Sequence, residues 1–475
     1  MPSDSRLFLA IDQGGHASRA LIFDAQGKVL SKYFCDIATE TPKPGWVEHD
    51  AEALATSVQT AIDRAVEESG EDKNRIVAAG LATQRSSIVC WNRIDGRPLS
   101  PVISWRDVRA ADAMKAFEAQ AESIHHKTGL YPSPHYGASK LRWCLDHLPE
   151  VQAAMEKGQL CFGPLASFLS ARITEEGQTF ADPSNAGRTL LWNIASQDWD
   201  PHLLESFQIP IDALPRCLPT RHAFGHLSVA GQKFPLKIVT GDQAAALFHD
   251  GNPQDDAVYI NLGTGAFLQR VMPKSHLNTG RLLSSVVLSQ ADKTVYALEG
   301  TVNGAGAALA WFAETYGVEA WPKEAGAWIE REKSPPIFIN GVGGLGSPFW
   351  IPRMESRFIG EGNLPARYVA VIESILFLIR ANLDEMNQVI DAPKKLMVSG
   401  GLSTLDALCQ RLANLTNLPV LRSLESEASA RGLAFLLGAS VSGEAGHRFL
   451  PVGDAGLARR YEHGLQETKT AIRAL

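Results

Sequence analysis

The stretch Leu7-Phe8-Leu9-Ala10-Ile11-Asp12-Gln13-Gly14-Gly15 decides the fold. An unbroken apolar run ended by a carboxylate, an amide and two glycines predicts a buried strand entering a tight turn. Outward from it, Ala20-Leu21-Ile22-Phe23 predicts a returning strand, Asp24-Ala25-Gln26-Gly27 a turn, and Val29 to Phe34 a third strand of the same meander. Leu54, Val58, Ile62 and Val66 then recur every four residues, which predicts a helix capped by Asp50 and left near Gly70. Ile76 to Leu81 is a further apolar strand.

The same order returns about 250 residues later. Ala257 to Leu262 runs into the turn Gly263-Thr264-Gly265, Ala266 to Val271 continues the hairpin, Val295 to Leu298 is the next strand, and a helix rich in small residues begins between Gly304 and Phe312. A repeat at half-length predicts two similar α/β domains, with a ligand in the cleft they form. The boundary is expected near Ala246, after the strand Phe234 to Thr240, giving domains 1–246 and 247–475. Thr41 to Gly45 and Lys333 to Pro336 are proline-containing surface connections.

A chain of 475 residues exceeds the size at which one core keeps growing, which also favours two domains. With 45% hydrophobic and 20% charged residues it has the composition of a globular protein. A net charge of -7 offers no broad positive field, which argues against nucleic acid as the main partner. The polar start Met1 to Arg6 shows no secretory pattern, and no apolar run has membrane-spanning length. Six cysteines, widely spaced with no CxxC pair, are expected as reduced thiols in the cytoplasm.

Three glycine elements carry candidate chemistry. At Asp12-Gln13-Gly14-Gly15 the carboxylate of Asp12 can hold hydrated Mg²⁺, while the bare backbone admits phosphate. Gly263-Thr264-Gly265 is the matching turn of the second half. Ser399-Gly400-Gly401-Leu402 closes a strand and is expected to open a helix at Ser403 or Thr404, where Gly400 and Gly401 leave room for a nucleotide base.

At this point the sequence resembles the FGGY carbohydrate kinase family, and within it the glycerol kinases. The resemblance runs through Ala10 to Gly14, Gly45-Trp46-Val47-Glu48-His49-Asp50, Thr83-Gln84-Arg85, Trp105-Arg106-Asp107, Ser184 to Leu191, Gly241-Asp242-Gln243, Gly263 to Gly265 and Gly344 to Trp350. It implies two actin-like, ribonuclease-H-like domains closing over ATP, Mg²⁺ and a small polyol or sugar. It further implies Asp242 as general base, with Arg85, Trp105, Gln243 and Phe267 lining the acceptor pocket. A homodimer is one allowed assembly.

The resemblance breaks at places that touch function. Ser86 stands where glycerol kinases carry a glutamate, and the family's pocket tyrosine falls at His135, next to Tyr136. The phosphate loop reads Gly14-Gly15-His16-Ala17-Ser18-Arg19 in place of Gly-Thr-Thr-Ser-Ser-Arg, leaving backbone amides, His16 and Arg19 as phosphate donors. Beyond Gly306 and Gly401, Ala310 and Leu405 replace a glutamine and an asparagine. A glycerol-like acceptor is favoured; a larger sugar, ketose or polyol, or a catalytically weak nucleotide-gated binding protein, are the alternatives.

Overall fold

The computed structural model describes residues 5–272, 279–291, 293–423, 427–441 and 446–475; the start at Met1 to Asp4 lies outside them. Contacts divide the chain into two units. The first is Met1–Pro253 with Ser285–Tyr296 and Ser426–Ser442; the second is Gln254–Ser284, Ala297–Glu425 and Gly443–Leu475.

In the first unit β1 (Leu7–Gln13) is buried along its whole length. It pairs antiparallel with β2 (Ala17–Asp24), which pairs antiparallel with β3 (Val29–Asp36). Helix α1 (Ala51–Glu68) is capped by Asp50, whose Oδ1 accepts the Ala53 N–H at 2.7 Å, and buries Leu54, Val58, Ile62 and Val66. Each such side chain stabilises by roughly 1.5–3 kcal/mol, which fixes this helix on the sheet. β4 (Ile76–Thr83) runs parallel to β1. A smaller sheet follows, built from the strand Glu48–His49, β5 (Ile88–Asn92), β6 (Val102–Ile103) and, after α2 (Gly137–His147), β7 (Leu160–Pro164). β8 (His226–Val229) and β9 (Gln232–Gly241) complete the main sheet, whose order is β8-β9-β4-β1-β2-β3, with β9 parallel to β4. The short helix α3 (Asp242–Ala246) follows β9 directly.

A second sheet, most of whose strands belong to the second unit, repeats this plan. β10 (Ala257–Leu262), β11 (Ala266–Met272), β12 (Leu283–Gln290), β13 (Lys293–Val302), β14 (Lys395–Ser399), β15 (Val420–Arg422) and β16 (His447–Phe449) form a sheet ordered β12-β13-β11-β10-β14-β15-β16. β10 pairs antiparallel with β11 and parallel with β14, as β1 does with β2 and β4. α4 (Gly306–Tyr316), the long helix α5 (Leu364–Val389) and α6 (Asp406–Thr416) pack in this unit.

Two sequence expectations change here. The strand after β11 is β12, and the segment expected at Val295 to Leu298 is part of the longer β13. Gly401–Thr404 forms a single tight 3₁₀ turn, and the helix expected at Ser403 or Thr404 starts at Asp406, because the Ser403 N–H and Oγ both bond back to the Gly400 carbonyl.

The last helix to mention, α7 (Ala428–Leu437), belongs to the first unit and packs on β1, β4 and α3. Glycines admit it: a Cβ on Gly80 would lie 3.2 Å from Leu433, and one on Gly432 would run into the Ala245 carbonyl. No helix among the described residues is long and apolar enough to cross a membrane. All six cysteines are free.

Candidate active site

The C-terminal ends of three parallel strands come level in the first unit. Asp12 lies opposite Ala82, which in turn lies opposite Thr240, so Asp12-Gln13, Thr83-Gln84-Arg85 and Gly241-Asp242-Gln243 leave the sheet side by side. In open α/β sheets this edge is where ligands bind. Gly241 has a steric reason: a Cβ there would sit 2.5 Å from both Cγ and Cδ of Arg85. The bare backbone therefore lets Arg85 cross in front of Asp242 and donate to the Gln243 side-chain carbonyl.

The ends of β4 and β9 are held from behind by Ser184 and Asn185. Asp182 caps their short helix by accepting from the Ser184 and Asn185 N–H groups and from both their side chains. Ser184 Oγ accepts the Gly241 N–H at 2.7 Å, and Thr83 Oγ1 donates to Asn185 Oδ1 at 3.4 Å. The sequence stretch Ser184 to Leu191 thus acts first as a brace.

Two carboxylates face the site. Asp12 is 4% exposed and pairs with Arg19 at 3.2 Å, the residue opposite it on β2. Burial raises its pKa to about 7, aided by the negative charges of Asp242 and Glu427 and opposed by Arg19. Burial also raises Asp242, against the guanidinium groups of Arg85 and Arg188 and the Gln243 N–H, which Oδ1 accepts at 2.7 Å. Asp242 does not cap α3; Gly241 occupies that position. Two acids raised by burial, Asp12 also by the charge of Asp242, form a site that favours a cation.

Ser86, Trp105 and His135 form a second group. Ser86 has a left-handed backbone, φ 64°, and Trp105 is 38% exposed. The Trp105 N–H donates to Ser87 Oγ at 3.0 Å, and its carbonyl accepts from His135 Nδ1 at 2.9 Å. Because a carbonyl only accepts, Nδ1 is the donor in this contact, while desolvation holds the His135 pKa below its ordinary value.

At the phosphate loop Gly14 N–H bonds the Ala17 carbonyl at 3.0 Å, while Gly15 is open and His16 exposed. In the second unit Gly263, Thr264, Gly265, Gly306 and Gly400 gather. The Gly306 and Ala307 N–H groups at the start of α4 bond the Gly263 and Thr264 carbonyls at 3.0 and 2.9 Å. A Cβ on Gly306 would meet Gly263 O at 2.8 Å, and Gly400, φ 87°, lies against the Leu262 backbone. Gly401 opens the 3₁₀ turn, and Phe267 sits on β11 opposite Asn261.

Sequence reasoning missed Lys140, Arg188 and Glu427. Arg188 lay inside a quoted motif without a role. Lys140 carried a readable signal, since it shares the buried face of α2 with Leu141 and Cys144.

The pieces define a class: a duplicated fold whose parallel-strand ends present paired acids, arginines and a glycine phosphate loop is a phosphotransferase of the actin-like kind. The N-terminal domain of the FGGY family of carbohydrate kinases matches residues 7–248 and its C-terminal domain residues 258–441. The chain belongs to this family and is an ATP-dependent carbohydrate or polyol kinase. It is 35% identical over 447 residues to a glycerol kinase of Alkalilimnicola ehrlichii, covering 91% of this chain and 90% of that one. It is 32% identical over 477 residues to a glycerol kinase of Thermococcus onnurineus, covering 99% and 92%. In fold it matches Plasmodium falciparum glycerol kinase with ADP, at TM-score 0.88 and 23% identity over 98% of both chains. It also matches a xylulose kinase from Rhodospirillum rubrum, at TM-score 0.86 and 19% identity over 99% of both.

Proposed function

We propose that the protein transfers the γ-phosphoryl group of Mg-ATP to a hydroxyl of glycerol or a glycerol-like polyol in the cytoplasm. The observation that carries this reading is Asp242, raised by burial and flanked by Arg85 and Gln243 at the end of β9. Arg85 and Gln243 donate to acceptor hydroxyls. Asp242 takes the proton of the attacking hydroxyl as it approaches phosphorus, a task for a carboxylate within hydrogen-bond reach. The relatives named glycerol kinase support the acceptor.

Mg²⁺ fits the donors present. No group of three or more His, Cys, Asp or Glu side chains is gathered for a metal among the described residues. Asp12 and Asp242 instead suit an ion that keeps waters and phosphate oxygens as its other ligands. Asp12 would hold it, and when bound it neutralises charge on the phosphate chain. Gly14, Gly15, His16 and Arg19 are suited to donate to phosphate oxygens, and the bare backbone at Gly263 to Gly265, Gly306, Gly400 and Gly401 is suited to a nucleotide.

A second reading, a larger sugar or ketose as acceptor, is favoured by Ser86, which leaves space and no charge where a glutamate stands in glycerol kinases. ADP release measured over a panel of polyols and sugars decides. Fastest turnover with glycerol supports the first reading, fastest turnover with a five- or six-carbon ketose the second, and none with any acceptor overturns both.

A further inference from the structure

We propose that Lys140 is a positioning residue for the acceptor pocket, its buried ammonium tying the segments that carry Ser86, Trp105 and His135 into one wall. The proposal rests on the kinase reading above. Lys140, on α2, is 0% exposed. Its Nζ donates to the carbonyls of Ser104 and His135, each at 2.7 Å, and of Ser86 at 3.3 Å. An ammonium has three N–H donors and accepts nothing, so donors and carbonyls match one for one. The three carbonyls come from three separate places: the loop after β4, the end of β6 and the turn before α2.

A buried charge is a costly way to fill space, and a leucine or methionine would occupy the volume at less expense. No carboxylate forms an ion pair with Lys140 among the described residues. The acid whose charge acts on it, Asp107, is engaged by Arg109 through Nε at 3.0 Å and Nη2 at 2.8 Å, and Arg109 also binds Glu48 at 2.7 Å. Burial draws Lys140 down to about 7, opposed by Asp107 and reinforced by Arg109. Backbone dipoles therefore carry the charge. What lysine supplies, and an apolar residue cannot, is closure of three backbone carbonyls from separate segments at once.

Each tied segment bears a side chain of the wall. The carbonyl of Ser86 leaves a left-handed residue, a conformation that costs a β-carbon-bearing residue of order 1 kcal/mol and persists only where its surroundings hold it. Ser104 directly precedes Trp105, and the His135 ring bonds the Trp105 carbonyl. Loosening the ammonium would release all three together while leaving Asp12, Arg19 and the glycine turns of the second unit untouched.

The test uses the full chain with Lys140→Met and Lys140→Gln, the latter keeping two N–H donors. With glycerol as acceptor, Lys140→Met is expected to raise the glycerol KM at least about tenfold and Lys140→Gln less, while the ATP KM stays within about twofold. Amide hydrogen exchange should quicken at 85–88, 104–107 and 135–137 alone. An unchanged glycerol KM, an equal rise in both KM values, or faster exchange across the whole first unit would overturn the proposal. If Lys140→Met does not fold, Lys140→Gln carries the same criteria. Should the wild-type chain phosphorylate no polyol, the kinase reading fails by itself, and the exchange pattern still decides the role of Lys140.

Discussion

Asp242 stands behind Arg85 because residue 241 has no side chain, and this places a carboxylate of raised pKa among hydrogen-bond donors. Asp242→Asn keeps the shape and removes the proposed base. We expect kcat to fall by about 10²–10⁴ with nucleotide affinity retained, checked by ADP release and calorimetric titration. Asp12 gives a prediction about stability. Its pKa is about 7 when folded and near 3.8 when unfolded, so the folded protein keeps a proton that the unfolded chain has already lost. Stability from this group therefore falls as pH rises from about 4 to 7, by on the order of 4 kcal/mol. Asp12→Asn, without nucleotide or metal, should raise the melting temperature at pH 8 by several degrees, with the gain shrinking as pH approaches 4. At this scale the sequence singled out Asp12 through its own turn, whereas the expectations for Asp242 and Arg85 came only through resemblance to a family. Lys140 was legible only in part: Leu141 and Cys144 mark its stretch of α2 as buried, but which groups a lysine there would bind depends on segments distant in sequence.

Helix α7 works on the site through packing. Ser429 Oγ donates to the Asp242 carbonyl at 3.1 Å, Arg431 Nε to the His249 carbonyl at 3.3 Å, and Gly432 seats α7 on α3. Gly432→Ala places a methyl group against the Ala245 backbone, and overpacking of this kind costs about 1–3 kcal/mol. We expect a lower melting temperature together with a lower kcat, because α3 begins at Asp242; a drop in stability with kcat unchanged would separate the helix from the site. Most elements were legible: β1 to β4 and the hairpin of β10 and β11 follow from apolar runs ended by Asp or Gly turns. β12 was not, since its alternation through Ser284, Ser285 and Ser289 is weak. The turn at Gly401 was misplaced because both serine and threonine there bond backward, satisfying carbonyls that a helix would otherwise use.

Over the whole molecule, the duplicated strand order was legible from two similar glycine turns half a chain apart, and it accounts for the matching sheets. The ownership of α7 was not legible, because nothing local in Ala428–Leu437 says which sheet it covers; only long-range contacts with β1 and β4 do. Leu433, Leu436 and Leu437 are buried in that packing, a contribution of roughly 5–9 kcal/mol. Residues 1–253 made alone should accordingly aggregate or expose apolar surface, detectable by dye binding. The same fact orders events at the ribosome. The segment that completes the first unit is encoded after most of the second, so the amino-terminal half emerges from the tunnel long before it can close its own core. For this protein translation has to run nearly to its end before either half is finished. A nascent chain stalled ahead of residue 428 is expected to stay protease-sensitive in its first 250 residues, and one stalled once 441 has cleared the tunnel to become resistant.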